Sequence, residues 1–330
     1  MPPDVFFYEA FAEEADAIRR LVPPHVRAEL TWQTPQEAGH TAPPARVVSI
    51  RTQSCIPPAW AGQIDAVLAR TTGYDHMLSL RRAFAHTARP VALGHLPLYC
   101  ARAVAEQAML LWTALLRRLP LQMRQFAAFA RDGLTGAECK GRRLLVVGVG
   151  NIGSQIVRIA EGLEMTALGV DVVRRHEGVR YVAIDEGLAQ ADVVVCAMNL
   201  TPANAGYFDY ARLSACRPGA VFVNVARGEL SPAADLLHLL EEGRLGGVGL
   251  DVFQEEAALA VALRQGDASP GANSPAIAAT LALAARPDVI VTPHNAFNTR
   301  ESLARKAAQS VESILHFLKA GVFPNPVPSE

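Results

Sequence analysis

The chain has 330 residues, of which 50% are hydrophobic and 19% charged, with a formal net charge of −1. That length and apolar content suit two well-packed domains, and the near-zero charge gives no footing for a nucleic-acid or other acidic polymer partner. The five cysteines (Cys55, Cys100, Cys139, Cys196, Cys216) are odd in number and lack CxxC spacing, which argues for a reducing, cytoplasmic setting and against a metal site. Met1-Pro2-Pro3-Asp4 has no basic n-region followed by a long apolar run, so no signal peptide is expected. The most apolar stretch, Ala108 to Leu116, is interrupted by Thr113 and is too short for a membrane span.

In chain order, Val5 to Tyr8 is expected to be a strand and Ala12 to Leu21 a helix that Pro23-Pro24 stops. His25 to Ala45 reads as a short strand and loop, and Arg46 to Arg51 as a strand. Pro57-Pro58 opens a helix containing Trp60, and Ala66 to Arg70 is a strand ending in Thr71-Thr72-Gly73-Tyr74-Asp75. A helix over Leu78 to Ala85 and a strand over Val91 to Leu96 complete a first alternating array, which implies a small parallel sheet. Ala101 to Arg118 is a long helix with a broad apolar surface, a second helix covers Leu121 to Ala130, and Arg131 to Gly141 is a polar connection.

That connection leads into the most informative stretch. Arg143 to Val147 has the pattern of a buried parallel strand, and Gly148, Gly150 and Gly153 follow at GxGxxG spacing. The first glycine allows a tight turn, the second lets a pyrophosphate approach the backbone, and the third lets the next helix pack on the strand. The helix reads Ser154 to Leu163, and its N-terminus offers N–H groups and a positive dipole end to phosphates. A second strand, Thr166 to Val170, ends at Asp171, which can accept from both adenosine ribose hydroxyls. A carboxylate there would repel a 2′-phosphate, so NAD is favoured over NADP, while Arg174 and Arg175 pull the other way.

The alternation then resumes. Asp192 to Met198, Ala220 to Val225, Val248 to Val252 and Val289 to Thr292 are strands, Ala233 to Glu242 is a helix, and a final helix runs from about Glu301 to Leu318. In open parallel sheets ligands bind at the carboxyl ends of strands. Here those ends carry Asp171, Asn199, Arg227, Asp251 and His294, with Glu256 five residues past Asp251. Hydride transfer to a 2-oxo acid needs a cation for the carboxylate, an acid for the carbonyl oxygen and a group that keeps that acid loaded. Arg227 fits the first, since its planar fork pairs with a carboxylate in two bonds. His294 fits the second and Glu256 the third, because a carboxylate beside a histidine favours its protonated form.

Taken together, the chain resembles the D-isomer-specific 2-hydroxyacid dehydrogenases. The likeness runs through Thr72-Gly73-Tyr74-Asp75, Pro97-Leu98-Tyr99, Ala103-Val104-Ala105-Glu106 and the glycine motif. It continues through Leu200-Thr201-Pro202, Asn224 to Gly228, Gly249 to Phe253 and Thr292-Pro293-His294. The resemblance implies an α/β fold of two doubly wound parallel-sheet domains. A flavodoxin-like substrate domain would cover 1–100 plus 299–330, and a Rossmann NAD-binding domain, 101–298, would be inserted into it. Arg227, Glu256 and His294 match the family's catalytic residues, and Asp251 matches the acid that holds the nicotinamide carboxamide. Gly148, Gly150, Asn151, Ile152, Gly153, Asp171, Asn199, Asn204, Val225 and Ala226 fall at the remaining cofactor positions, and no metal is implied. The Thr72-Gly73 turn matches the loop that holds the substrate carboxylate, and Tyr99 and Phe297 match substrate-pocket residues of the D-lactate dehydrogenase branch.

A homodimer is implied, with Ala103 to Arg131 contributing to its interface. Three features depart from the family pattern: Asn151 stands where an arginine is usual, Ala257 where a proline is usual, and the alanine-rich Ala257 to Pro287 is longer than the common form and is expected to form an extra helix. The leading activity is NAD-dependent interconversion of pyruvate, or another small 2-oxo acid, with the D-2-hydroxy acid. Alternatives are a dehydrogenase for glyoxylate, hydroxypyruvate or phosphoglycerate, and an NAD(H)-sensing corepressor-like binding protein.

Overall fold

The protein is described from a computed structural model covering residues 2–85, 90–265 and 274–328. The chain divides into two compact units, Met1–Cys100 with Asn298–Glu330, and Ala101–Phe297.

The first unit is built on β1 (Val5–Phe7), α1 (Ala12–Leu21), β2 (Ala28–Leu30), β3 (Val47–Ile50), β4 (Ala66–Ala69), α2 (Asp75–Phe84) and β5 (Ala92–Gly94). Its strands are all parallel, in the order β2-β1-β3-β4-β5. This is the flavodoxin-type order. Every residue of β1, β3 and β4 is buried, which is why β1 and β4 read as uninterrupted apolar runs; the one polar residue of β3, Ser49, donates its hydroxyl to the Leu68 carbonyl at 3.1 Å. The expected helix at Pro57-Pro58 is a single 3-10 turn over Pro58–Trp60. The C-terminal helix, Arg300–Ala320, is capped by the Thr299 side chain, which accepts the Ser302 N–H, and ends at Gly321 with φ 73°. It packs against α1. The tail then runs along β5, where the Val327 N–H donates to the Leu93 carbonyl at 2.8 Å and the His95 N–H to the Asn325 carbonyl at 3.0 Å.

The second unit opens with α3 (Ala101–Leu116) and α4 (Leu119–Gln125), the latter continued by a 3-10 turn over Phe126–Ala128. Then come β6 (Arg143–Val147), α5 (Asn151–Gly162), β7 (Thr166–Val170), β8 (Arg180–Tyr181), α6 (Ile184–Gln190) and β9 (Val193–Cys196). The chain continues through α7 (Tyr210–Ser214), β10 (Ala220–Asn224), α8 (Ala233–Glu241) and β11 (Leu245–Leu250) to α9 (Glu256–Gln265), α10 (Pro275–Ala284) and β12 (Val289–Val291). Seven parallel strands lie in the order β12-β11-β10-β9-β6-β7-β8. Successive strands are added on one side of β6 as far as β8 and on its other side from β9 onward, so the crevice outside β6 and β9 is the topological switch point where such sheets bind ligands.

Three further expectations are corrected. The helix after the glycines begins at Asn151 and not Ser154, because Gly150 already caps it. The helix expected at Leu78 starts at Asp75, whose acid suits a first turn. The alanine-rich insertion contains two helices, α9 and α10, with residues 266–273 outside the described set. Pro275 opens the second of them, where its missing N–H costs nothing. The short edge strand β8 was not read in the sequence, since two residues carry no periodicity.

Candidate active site

The glycine loop has the shape a pyrophosphate requires. Gly148 has φ 95°, and a Cβ there would lie 2.5 Å from the Met198 backbone. A Cβ on Gly153 would lie 2.0 Å from the Gly148 carbonyl oxygen, so that position brings α5 onto the loop. A Cβ on Gly150 would meet nothing within 4 Å, which makes it the open side of the cradle. Gly150 caps α5 without a side-chain bond, so the N–H groups of Asn151, Ile152 and Gly153 have no intrahelical acceptor and face the same opening. Asn151 is exposed and Ile152 half-buried.

Asp171 locks the loop to the next strand. Its carboxylate accepts the Val149 N–H at 2.7 Å and the Val173 N–H at 3.0 Å, one on each oxygen. Each oxygen keeps a further lone pair, which suits a pair of ribose hydroxyls. Arg174 lies with its guanidinium 5.9 Å from the centre of the Tyr181 ring. After β9, Asn204 fixes the next loop: its Oδ1 accepts the Thr201 N–H at 2.7 Å and its Nδ2 donates to the Asn199 carbonyl at 2.8 Å. These residues fit a dinucleotide, with the phosphates on the α5 N-terminus and the adenosine ribose on Asp171.

The strand end that displays Arg227 is organised by Asn224, which the sequence marks as part of the family motif without a site role of its own. Fully buried, Asn224 donates Nδ2 to the Arg227 carbonyl and the Ser231 hydroxyl, both at 2.8 Å, and accepts the Ala226 N–H at 3.0 Å. Gly228 is required next, because a Cβ there would sit 1.9 Å from the Phe253 carbonyl carbon. Val225 is buried and Ala226 half-buried, and the Arg227 guanidinium donates to the Ala226 carbonyl at 2.8 Å.

Asp251 does the same for the histidine loop. It is 1% exposed and accepts three bonds: the Thr292 hydroxyl at 2.5 Å, the Asn295 N–H at 2.9 Å and the Ala296 N–H at 2.9 Å. Burial raises its pKa, against the lowering by those donors. The first consequence of Asp251 is thus the shape of residues 292–296. His294 is held at φ 50°, with its N–H on the Thr292 carbonyl at 2.9 Å. Glu255, just before its partner, has φ 51°. A left-handed non-glycine backbone costs on the order of 1–3 kcal/mol and persists where surrounding bonds over-determine it. His294 Nδ1 donates to Glu256 Oε1 at 2.7 Å, with side chains 22% and 21% exposed. That bond leaves Nε2 as the nitrogen able to meet a ligand. Phe297 ends this unit and is buried.

In the first unit, the Thr71 hydroxyl donates to the Gly73 carbonyl at 2.7 Å, and His95 Nδ1 lies 3.2 Å from the Thr72 carbonyl. The Thr72 hydroxyl lies 3.3 Å from Cys100 Sγ. Tyr99, beside that cysteine, is buried, and burial holds its phenol pKa well above the usual tyrosine range. Arg305 of the C-terminal helix donates Nε to the Tyr99 carbonyl at 2.8 Å. The predicted residues thus fall into two groups, one in each unit.

A doubly wound sheet with this loop, this acid and a histidine–glutamate pair at a later strand end defines an NAD-binding α/β dehydrogenase. The family profile described as "D-isomer specific 2-hydroxyacid dehydrogenase, NAD binding domain" matches residues 108–296. The chain belongs to the D-isomer specific 2-hydroxyacid dehydrogenases and is an NAD-dependent oxidoreductase of that family. Among curated relatives, a D-lactate dehydrogenase of Leuconostoc mesenteroides subsp. cremoris is 28% identical over 69% of this chain and 69% of its own length. A glyoxylate reductase of Korarchaeum cryptofilum is 27% identical over 82% and 78%. The fold matches that of a D-lactate dehydrogenase of Aquifex aeolicus, solved with NAD and lactic acid, at a TM-score of 0.82 and 24% identity, covering 98% of this chain and 100% of that one.

Proposed function

We propose that the protein interconverts a small 2-oxo acid and the D-2-hydroxy acid, with pyruvate and D-lactate as the leading pair. The observation that carries this reading is the 2.7 Å bond between His294 Nδ1 and Glu256, displayed at the strand end after Asp251. The bound nicotinamide supplies the hydride. His294 gives the proton from Nε2 to the carbonyl oxygen in the reducing direction and takes it back in the oxidising one. Glu256 fixes the ring's tautomer and its aim. Arg227 pairs with the substrate carboxylate in two parallel bonds. In the first unit, Thr72, Gly73 and Tyr99 are the substrate contacts, the phenol acting as a neutral donor. Phe297 forms an apolar wall, and Asp251 uses the one lone pair left on Oδ2 for the carboxamide.

D-lactate dehydrogenases and glyoxylate reductases both occur among the relatives, so side-chain preference is the point to test. NADH oxidation is measured with pyruvate, glyoxylate, hydroxypyruvate and a branched 2-oxo acid. Pyruvate is expected to give the highest kcat/KM, and turnover of none of them would end the enzyme reading. The proposal includes a homodimer, supported by the exposed apolar run Leu119, Met123, Phe126 and Phe129, and light scattering at a monomer mass would remove it. All five cysteines are free thiols, which supports a cytoplasmic setting.

A further inference from the structure

One bond of the second unit ties the histidine loop to a helix far away in sequence, and the chemistry above does not use it. α3 lies against β10, β11 and β12. Gly249 of β11 lets it come close, since a Cβ there would lie 3.0 Å from the Leu111 Cβ. One turn before Leu111, on the same face of α3, stands Gln107, half-buried. Its Nε2 donates to the Thr292 hydroxyl at 3.3 Å, across 185 residues of sequence.

Thr292 commits each of its polar groups. Its N–H donates to the Leu250 carbonyl at 2.9 Å, and its carbonyl accepts the His294 N–H at 2.9 Å. Its hydroxyl lies 2.5 Å from Asp251 Oδ1. A hydroxyl has one proton, and an ionised carboxylate can only accept, so that proton points at Asp251. The oxygen then faces Gln107 with a lone pair, which needs a donor, and the amide supplies one. Thr292 is thereby fixed as a donor to a carboxylate that is 1% exposed. The other donors to Asp251, the Asn295 and Ala296 N–H groups, are backbone and independent of side-chain identity. His294, on the same loop, acts on Asp251 through its charge, and Glu256 of α9 faces that histidine. α3 presents the neutral Gln107, and β10 the Asn224 carbonyl, which accepts the Asp251 N–H at 3.0 Å.

We propose that Gln107 and Thr292 are positioning residues that hold Asp251 in its carboxylate form, so that it accepts the N–H of the nicotinamide carboxamide. The proposal rests on reading Asp251 as the acceptor of that group. Burial works against it, pushing the Asp251 pKa above the ordinary 3.8, and the Thr292 hydroxyl leads the groups that pull it back. Once protonated, Asp251 would turn a donor toward a donor. Hold on the carboxamide is therefore present above the Asp251 pKa and lost as pH falls through it. Any change that frees or removes the Thr292 proton moves that loss to higher pH.

The experiment is calorimetric titration, across pH, with NAD and with its acetylpyridine analogue, whose methyl ketone offers no N–H. The ratio of the two affinities cancels the phosphates, the riboses and the response of the pyridinium to His294. In wild type NAD should bind about tenfold tighter near neutrality, falling to parity on the acid side. Thr292→Val should move the midpoint of that fall up by about one pH unit, since two or three donors shift a carboxylate by about two. Thr292→Ser, which keeps the hydroxyl, should follow wild type. Gln107→Glu puts a competing acceptor and a like charge beside the hydroxyl and should also raise the midpoint, and Gln107→Met should raise it less. Midpoints that stay at the wild-type value in Thr292→Val and Gln107→Glu overturn the proposal. A ratio lowered equally at every pH, with its midpoint fixed, overturns it too, because Thr292 would then only shape the loop. If Thr292→Val does not fold, Gln107→Glu decides alone. A wild-type ratio near one at all pH sinks the reading of Asp251 itself, whereas a wild-type preference for NAD beside unmoved midpoints sinks only the role of Gln107 and Thr292.

Discussion

The two units differ in what they bury around their functional groups. In the second unit each group is pinned by a neighbouring backbone: Asn224 shapes the turn of Arg227, Asp251 shapes residues 292–296, and Asp171 grips the glycine loop. The reacting pair itself, His294 and Glu256, remains partly open to solvent. The first unit also holds Thr72, Gly73 and Tyr99 through their carbonyls, but beside them it buries an ionic set made between distant parts of the chain, with Glu14 and Arg70 56 residues apart and Lys306 arriving on the last helix. The lesson is that one unit is tuned to keep its chemistry accessible, and the other to keep its charges away from water.

The sharpest way to break this contrast is His294→Gln. If the second unit carries the proton transfer, kcat should fall by roughly two to four orders of magnitude, the usual scale of general acid–base catalysis. NADH affinity, read by fluorescence titration, should stay near wild type because the glycine loop and Asp171 are untouched. Wild-type turnover would take His294 out of the reaction.

The next effect belongs to stability and to the first unit. Glu14→Ala removes the carboxylate that Arg70 and Lys306 share, and breaking a buried pair from one side costs about 3–5 kcal/mol. Urea unfolding should show that loss, whereas removal of an exposed pair such as Arg19 with Asp16 should cost under about 1 kcal/mol. A pH signature follows. Burial opposes ionisation of Glu14, but the nearby Arg70, Lys306 and Arg51 hold its pKa at about 2, below its ordinary 4.5. Its folded pKa is depressed, so the stability it adds is present above the ordinary value and lost as pH falls toward about 2. Lys306 works on the alkaline side, where its lowered pKa means the folded unit binds fewer protons, and stability rises with pH from about 7 toward the ordinary 10.5. An acid limb unchanged in Glu14→Ala would show that the ion cluster is not what differs between the units.

The same contrast explains what was legible in the sequence. The β6–α5–β7 region could be read because strand, turn and helix follow one another, and each glycine answers a local steric demand within a few residues. His294, Glu256 and Arg227 stood out because each lies at or just past the end of an apolar strand. Asn224 and Thr292 were present in the same strings, but their work is done inward, on other backbone atoms, and only coordinates display it. Glu14, Arg70 and Lys306 look alone like ordinary surface charges of helices or strand ends. No periodicity marks a lysine at the twelfth position after His294 as buried, because its burial depends on how α1 packs against the last helix. Long-range charge pairing is the part of this fold with no local signature.

The smallest expected effect tests whether the second unit can be adjusted without touching the first. Asn151 is exposed at the first position of α5, beside the open side of the glycine cradle. Asn151→Arg would place a cation within reach of the pyrophosphate, where a charge-assisted bond contributes about 1.5–3 kcal/mol. The same cation sits badly on the positive end of the helix dipole, a penalty of about 0.3–1 kcal/mol. The balance favours binding by roughly 1 kcal/mol, so the NADH Kd should fall about fivefold at low salt and by less as salt screens the contact. The KM for pyruvate should not move, because no group of the first unit has changed. A Kd that rises would mean the dipole term wins at this position. A pyruvate KM that shifts with it would mean the two sets of groups are coupled, and the contrast between them would no longer hold.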